Sequence, residues 1–325
     1  MDMHSSAVGS GVQILAMTLC TMACALFGLT SPGNRGGLLT TLLILFVFMG
    51  SFAGYCSARV YKLFGGKEWK KNTVMTAMFY PGVMGCIFLF INSFIAYYGS
   101  SAAAPLTTLL ALILLWFGIS TPLVFVGSYF GFKKETIAVP VRTNQIARHI
   151  PDQVWYTHPG FSIALGGILP FGAVCIELFF IMSAMWLHQV RIHYYLYCIV
   201  DVSSCYSLCN TQLYFVFGFL FIVLIILVAT CAEITIVMCY FQLCNEDYRW
   251  WWRSYLSAGS SGGYLFLYSL WYFFSKLSIE GIVPSVLYFS YMGMISVTFF
   301  MLTGSIGFFA CLWFVRRIYG AIKVD

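Results

Sequence analysis

Two carboxylates interrupt otherwise apolar stretches of this sequence: Glu177, seven residues after Pro170, and Glu233 in Thr230-Cys-Ala-Glu-Ile-Thr235. A charged group at bilayer depth costs at least ~2.5 kcal/mol, so each acid is a candidate functional residue. Such a group can serve an ion or proton relay, or it can hold two helices together as a hydrogen-bonded carboxyl. No Lys, Arg or His lies within the apolar stretches as a partner, which favours the second role. Gly166-Gly167-Ile-Leu-Pro170-Phe-Gly172 is the other interruption. Pro170 removes a backbone donor and predicts a kink, and glycines beside a kink can line a cavity or a hinge.

Other chemistries are missing from the sequence. The twelve cysteines fall mostly in apolar runs, with no CxxC pair and no zinc-type spacing. Neither a Walker loop, a Gly-x-Ser-x-Gly nor a His-Glu-x-x-His occurs, and the five histidines are isolated from one another. The expectation is a protein that is not an enzyme and holds no metal or cofactor. Small residues recur four apart at Gly50–Gly54, Gly127–Gly131 and Gly259–Gly263. They predict close helix contacts, chiefly inside the protein. Arg249-Trp-Trp-Trp-Arg253 reads as an interfacial anchor, with indoles at the headgroups and arginines reaching lipid phosphates.

The elements that carry these residues follow from composition. Of 325 residues, 61% are hydrophobic, 19% aromatic and only 9% charged. So few charges cannot solvate a soluble fold of this size. Soluble enzymes, nucleic-acid binders and disordered scaffolds are excluded together. Apolar runs of ~20 residues without period-two alternation argue for helices and against a barrel. The reading is all-α: a polytopic membrane bundle of about eight transmembrane helices. The spans are approximately 8–29, 37–60, 74–97, 106–130, 161–187, 214–241, 254–274 and 282–318. Met1–Ser10 lacks the basic n-region of a cleavable signal peptide.

Basic residues set the orientation. With a cytosolic N-terminus, eight spans return the C-terminus to the cytosol and place fourteen of the seventeen Lys and Arg there. Arg35, Arg191 and Lys276 are the three exceptions. This asymmetry accounts for the formal charge of +6 without any nucleic-acid partner; the bilayer is the partner it implies. Gly131–Gly160, with three prolines, reads as a cytosolic loop.

Read in order, several segments resemble the nonaspanins, the transmembrane 9 superfamily. They are Ser31-Pro-Gly-Asn-Arg-Gly-Gly37, Pro140-Val-Arg-Thr-Asn-Gln-Ile146, Gly166 to Gly172, and Cys239-Tyr-Phe-Gln-Leu-Cys-Asn-Glu-Asp-Tyr248. Trp252-Arg-Ser-Tyr-Leu256, Thr303-Gly-Ser-Ile-Gly-Phe-Phe-Ala-Cys311 and Ile322-Lys-Val-Asp325 complete the set. The resemblance implies a Golgi and endosomal membrane protein that helps localise other membrane proteins, especially those with glycine-rich transmembrane helices. It also implies that Lys323 and Asp325 form a sorting signal read by the coatomer coat. The residues themselves leave an alternative, a small-solute or ion transporter using Glu177, Glu233 and the Pro170 break as a midplane site.

Two departures from the family stand out. Its members begin with a signal peptide, a large lumenal domain and one further span, none of which is in this sequence. In addition, Trp186-Leu-His-Gln189 is separated from Leu213-Tyr-Phe-Val-Phe-Gly-Phe219 by 23 extra residues, Val190–Gln212. The apolar core of this insertion, Tyr194–Val200, is too short to cross a bilayer, so a lumenal excursion is expected. Its edges fit an in-frame retained intron, because Val codons begin GT and Gln can be encoded CAG. A genuine lineage-specific loop is the alternative.

Overall fold

A computed structural model describes residues 2–27, 35–99, 103–141, 149–151, 158–186, 202–276 and 281–321. They form eight long helices: α1 Asp2–Leu26, α2 Arg35–Leu63, α3 Trp69–Tyr97, α4 Leu106–Lys133, α5 Pro159–Trp186, α6 Val202–Cys244, α7 Trp250–Lys276 and α8 Ile282–Ala321. No strand occurs among the described residues, in agreement with the all-α reading. Seven of the eight helices are long and apolar enough to cross a membrane.

The exception, α7, is instructive. Its 27 residues give about 40 Å, enough to span, but it carries serines throughout. Ser254, Ser257, Ser261 and Ser269 are all buried. Ser260 Oγ donates to the Ile163 carbonyl of α5 at 2.7 Å, and Ser261 Oγ to Thr303 of α8 at 3.1 Å. Packed between α5 and α8, with α6 alongside, α7 turns these serines into the protein, where all of the buried ones but Ser257 have a hydrogen-bond acceptor. It does not need the apolarity that lipid contact demands.

The helices pack as two groups. In the first, α2 lies against α4, and α3 against α2; in the second, α7 lies against α5 and α8, with α6 beside all three. Helix α1 joins the groups, touching α2 and α3 on one side and α8 on the other. Both contacts of α1 need glycine. A Cβ on Gly9 would sit 2.7 Å from the Ala53 carbonyl, and one on Gly11 would sit 2.2 Å from that of Met301.

One end of the bundle gathers the start of α1, the α2–α3 and α6–α7 turns, the end of α4 and the end of α8. Asp2 pairs with Lys71 at 3.2 Å, Lys62 Nζ donates to the Phe132 carbonyl at 3.0 Å, and Pro140 lies beside Gly320. Lys62, Lys71, Lys133, Arg253 and Arg316 all belong to this basic end. The two short turns share one geometry. Gly66 N–H donates to the Tyr61 carbonyl and Gly65 N–H to that of Lys62; Asp247 does so to Gln242 and Glu246 to Leu243. This paired pattern closes a helix through one left-handed residue. Gly65, at φ 75°, takes that place without strain, whereas Glu246, at φ 59°, takes it with a side chain.

Several boundaries differ from those expected. Helix α1 begins at Asp2 rather than Val8, and α3 at Trp69 rather than Val74. Hydropathy marks only the part of a helix that must face hydrocarbon, and polar turns packed on neighbours lengthen it. The insertion differs too: Val202–Gln212 is helical and continuous with α6, not a loop up to Tyr214. Residues 190–201 lie outside the described residues, as do Lys323 and Asp325. The Gly131–Gly160 loop is described only in part.

Candidate functional site

Helix α6 has two unlike faces. Leu224, Leu227, Cys231, Thr235 and Cys239 are buried against the bundle, and Cys311 Sγ of α8 donates to the Thr235 carbonyl at 3.2 Å. Glu233 lies two residues from both Cys231 and Thr235, about 200° around the helix, and is exposed on the outer face. Among the described residues it has neither a hydrogen bond nor an ion pair. It stands eleven residues before Cys244, about 16 Å from the basic end of the helix. Such a depth is near the middle of a bilayer core about 30 Å thick. A carboxylate facing hydrocarbon at that level costs ~2.5–3.5 kcal/mol.

The two acids do not converge. Ser162 Oγ of α5 meets Met238 Sδ of α6 at 4.0 Å, and the two helices run antiparallel. From that level Glu177 lies fifteen residues further along α5, but Glu233 only five along α6. The difference of ten residues separates their backbones by about 15 Å in depth. The Glu177 side chain is outside the described set.

The Pro170 region is built for packing. Helix α5 is α-helical from Pro159 to Trp186, and Pro170 is buried inside it. A Cβ on Gly166 would stand 1.8 Å from Ser257 Oγ, and one on Gly167 would stand 2.1 Å from Ser260 Oγ. These glycines let α5 close on α7 instead of lining a cavity. Gly172 alone is open, exposed and with nothing within 4 Å of a Cβ.

The repeated glycine pairs are also used internally. Gly54 faces the Val124 carbonyl, Gly127 that of Ser51, and Gly131 that of Tyr55, so α2 and α4 touch backbone to backbone. Gly259 and Gly262 accept the ring and backbone of Phe300 from α8; Gly263 faces outward.

Two polar clusters at the basic end were not singled out from the sequence. Asn72 accepts from Ser5 Oγ and donates to Ser57 Oγ at 3.0 Å, while Ser57 pairs with Thr76 at 2.7 Å. This network ties α1, α2 and α3. Close by, the buried His4 ring packs edge-on against Phe64, Trp252, Tyr255 and Phe308, with Nε2 3.2 Å from the Trp251 carbonyl. The small polar run Ser5-Ser6-Ala-Val-Gly-Ser-Gly11 was the available signal. Hydropathy treats such a run as a helix margin, whereas the fold uses it as core.

The Trp-Trp-Trp motif corrects the anchor expectation. Trp250 stacks on Phe308 at 5.7 Å, and Arg253 Nη1 donates to Asp247 Oδ2 at 2.6 Å. Asp247 also accepts from the Arg249 backbone, so this carboxylate starts α7 and holds Arg253. Arg253 therefore pairs within the protein, not with lipid phosphate. Among the described residues, no His, Cys, Asp and Glu group could hold a metal ion.

Comparison with known proteins gives these features a family. Residues 1–206 and 202–282 match the family described as Endomembrane protein 70. The chain is 56% identical over 318 residues to transmembrane 9 superfamily member 9 of Arabidopsis thaliana, covering 98% of this chain and 46% of that protein. It is 49% identical over 318 residues to human member 2, covering 98% and 44%, and 48% identical over 321 residues to human member 4, covering 99% and 46%. The chain thus spans less than half the length of these curated relatives. No solved structure matches it. With its long apolar helices and this similarity along nearly its whole length, the chain belongs to the transmembrane 9 superfamily and is a multi-pass membrane protein of the endomembrane system.

Proposed function

We propose that this protein is not an enzyme and that it sorts or localises other membrane proteins in Golgi and endosomal membranes by contacting their transmembrane helices from the side. The observation that carries this reading is the place of Glu233, on the outer face of α6. A polar group turned outward at mid-depth is placed for lateral contact with a neighbour in the bilayer. A transport pathway would need its acids to converge inside the bundle, and the 15 Å offset of Glu177 and Glu233 weighs against that use.

The sorting signal fits the same reading. Helix α8 has 40 residues, about 60 Å, against a hydrocarbon core of about 30 Å. Its basic end therefore stands clear of the core, carrying Arg316 and Arg317 toward the tail that holds Lys323 and Asp325. Both termini of this chain are cytosolic in this reading, by the charge asymmetry. A coatomer-type coat would read the tail as a compact pair of opposite charges.

Co-purification tests the central claim. A membrane protein with a glycine-rich transmembrane helix should be recovered with this protein, and its variant with those glycines changed to leucine should not. Equal recovery of both overturns the glycine-dependent mechanism. For the tail, the double variant Lys323→Ala, Asp325→Ala should move from the Golgi to later compartments. Unchanged location of that variant removes the signal from the proposal.

A further inference from the structure

Helix α8 ends on a face that the bundle does not use. Phe308, Cys311 and Leu312 are buried, whereas Trp313, Arg316, Arg317 and Gly320 form one exposed helical stripe on the far side of the helix. The segment that follows α4 crosses this stripe, with Pro140 at 3.6 Å from the place of a Cβ on Gly320. Pro140, Trp313, Arg316 and Arg317 line an open cleft of about 190 Å³. Several other cations at this end are occupied: Lys71 pairs with Asp2, Lys62 with the Phe132 and Lys134 carbonyls, and Arg253 with Asp247. Among the described residues, Arg316 and Arg317 have neither a hydrogen bond nor an ion pair.

The depth of the cleft follows from helix register. A Cβ on Gly307 would stand 3.0 Å from the Thr235 side chain of α6. Both helices run from there toward the basic end, and nine residues further lie Arg316 on α8 and Cys244, the last residue of α6. The two guanidinium groups therefore stand level with the end of α6, in the headgroup layer that borders the hydrocarbon. Trp313 is one turn deeper, where an exposed indole prefers to sit. Each guanidinium presents a fork of donors that matches phosphate oxygens. Together they balance a phosphate monoester, which carries about −1.5 to −2 charge, whereas a phosphodiester carries only one. A lipid brings its phosphate to this depth and lays its chains along the indole; a free phosphate ion gains nothing from Trp313.

We propose that the cleft between Pro140 and the Trp313–Arg316–Arg317 stripe binds the headgroup of an anionic phospholipid ending in a phosphate monoester. The site does not depend on the sorting reading, since it is defined by α8, Pro140 and their depth.

The test uses the full chain purified in detergent, incubated with phosphatidic acid or with phosphatidylserine, and counts retained lipid by native mass spectrometry. Phosphatidic acid should be retained about tenfold more than phosphatidylserine, the gain from one further charge-paired arginine. Arg316→Gln with Arg317→Gln should bring phosphatidic acid down to the phosphatidylserine level. Lys67→Gln with Lys70→Gln removes two exposed cations from the same end and should leave retention unchanged. All four residues are exposed, so both variants should melt as the parent does. Inorganic phosphate at the concentration of the lipid should not displace it. Equal retention of the two lipids, or phosphatidic acid retained unchanged by the arginine variant, overturns the site. An equal loss in the lysine variant reduces it to general surface charge, and displacement by inorganic phosphate assigns the cleft to the free ion; either result also overturns the lipid site.

Discussion

The two halves of α4 have similar apolar sequences and opposite fates. Its second half, Thr121–Lys133, buries Val124, Gly127, Ser128 and Gly131 against α2. The first half, Leu106–Leu115, is the more apolar of the two and buries nothing. Between them the helix widens into a π turn, Trp116–Ser120, where the Thr121 N–H reaches back to the Trp116 carbonyl. Pro122 supplies the cause: it has no N–H, and its ring clashes with the carbonyl four residues earlier, so the turn takes one extra residue. Trp116 Nε1 then donates to the Ala77 carbonyl of α3 at 3.1 Å, pinning the junction. In lipid, apolarity does not drive helices together, because the acyl chains are as apolar as leucine. Close backbone approach does, and only the second half has the glycines for it.

The largest expected effect tests this contrast directly. Gly127→Leu should cost about 3 kcal/mol, because a Cβ there falls 1.9 Å from the Ser51 carbonyl and backbone cannot give way. Thermal unfolding in detergent should show a clearly lowered midpoint. Gly65→Ala comes next, at about 1–2 kcal/mol, because it forces a left-handed conformation on a side chain at the α2–α3 turn that positions the zipped face of α2. Ser128→Ala removes the 3.2 Å hydrogen bond to the Gly54 carbonyl and should lower stability by about 1 kcal/mol in the same assay. In the π turn that borders the open half, Gly118→Leu should change stability by less than about 0.5 kcal/mol, since nothing lies within 4 Å of its Cβ. A large loss at Gly118 would erase the distinction between the halves.

The asymmetry between the acids and the glycines makes the same point about reading a membrane sequence. Gly54 and Gly127 belong to pairs marked by spacing, and their internal use was the favoured expectation. Glu233 was marked by its charge, but spacing could not say which face of α6 it occupies. That face follows from Cys231, Thr235 and Cys239 being drawn toward α8, a fact of packing three residues around the turn. The Asp247–Arg253 pair was hidden for another reason. Each partner looked like ordinary loop charge, and only the α6–α7 turn brings them to 2.6 Å.

By itself, the sequence determined that this chain is a helical membrane bundle, where the long helices of the described residues lie and which of their ends share the basic side. Those properties depend on the solvent, since water and hydrocarbon impose their demands on every residue independently of its neighbours. Even α7 was recognisable as a long helix, despite its serines. Tertiary structure alone decided that His4, Ser5 and Asn72 are core residues, that Pro122 divides α4 into a packed and an open half, and that Glu233 points outward. Each of these depends on a partner far away in the chain, and hydropathy, which is summed along the chain, contains no term for a partner.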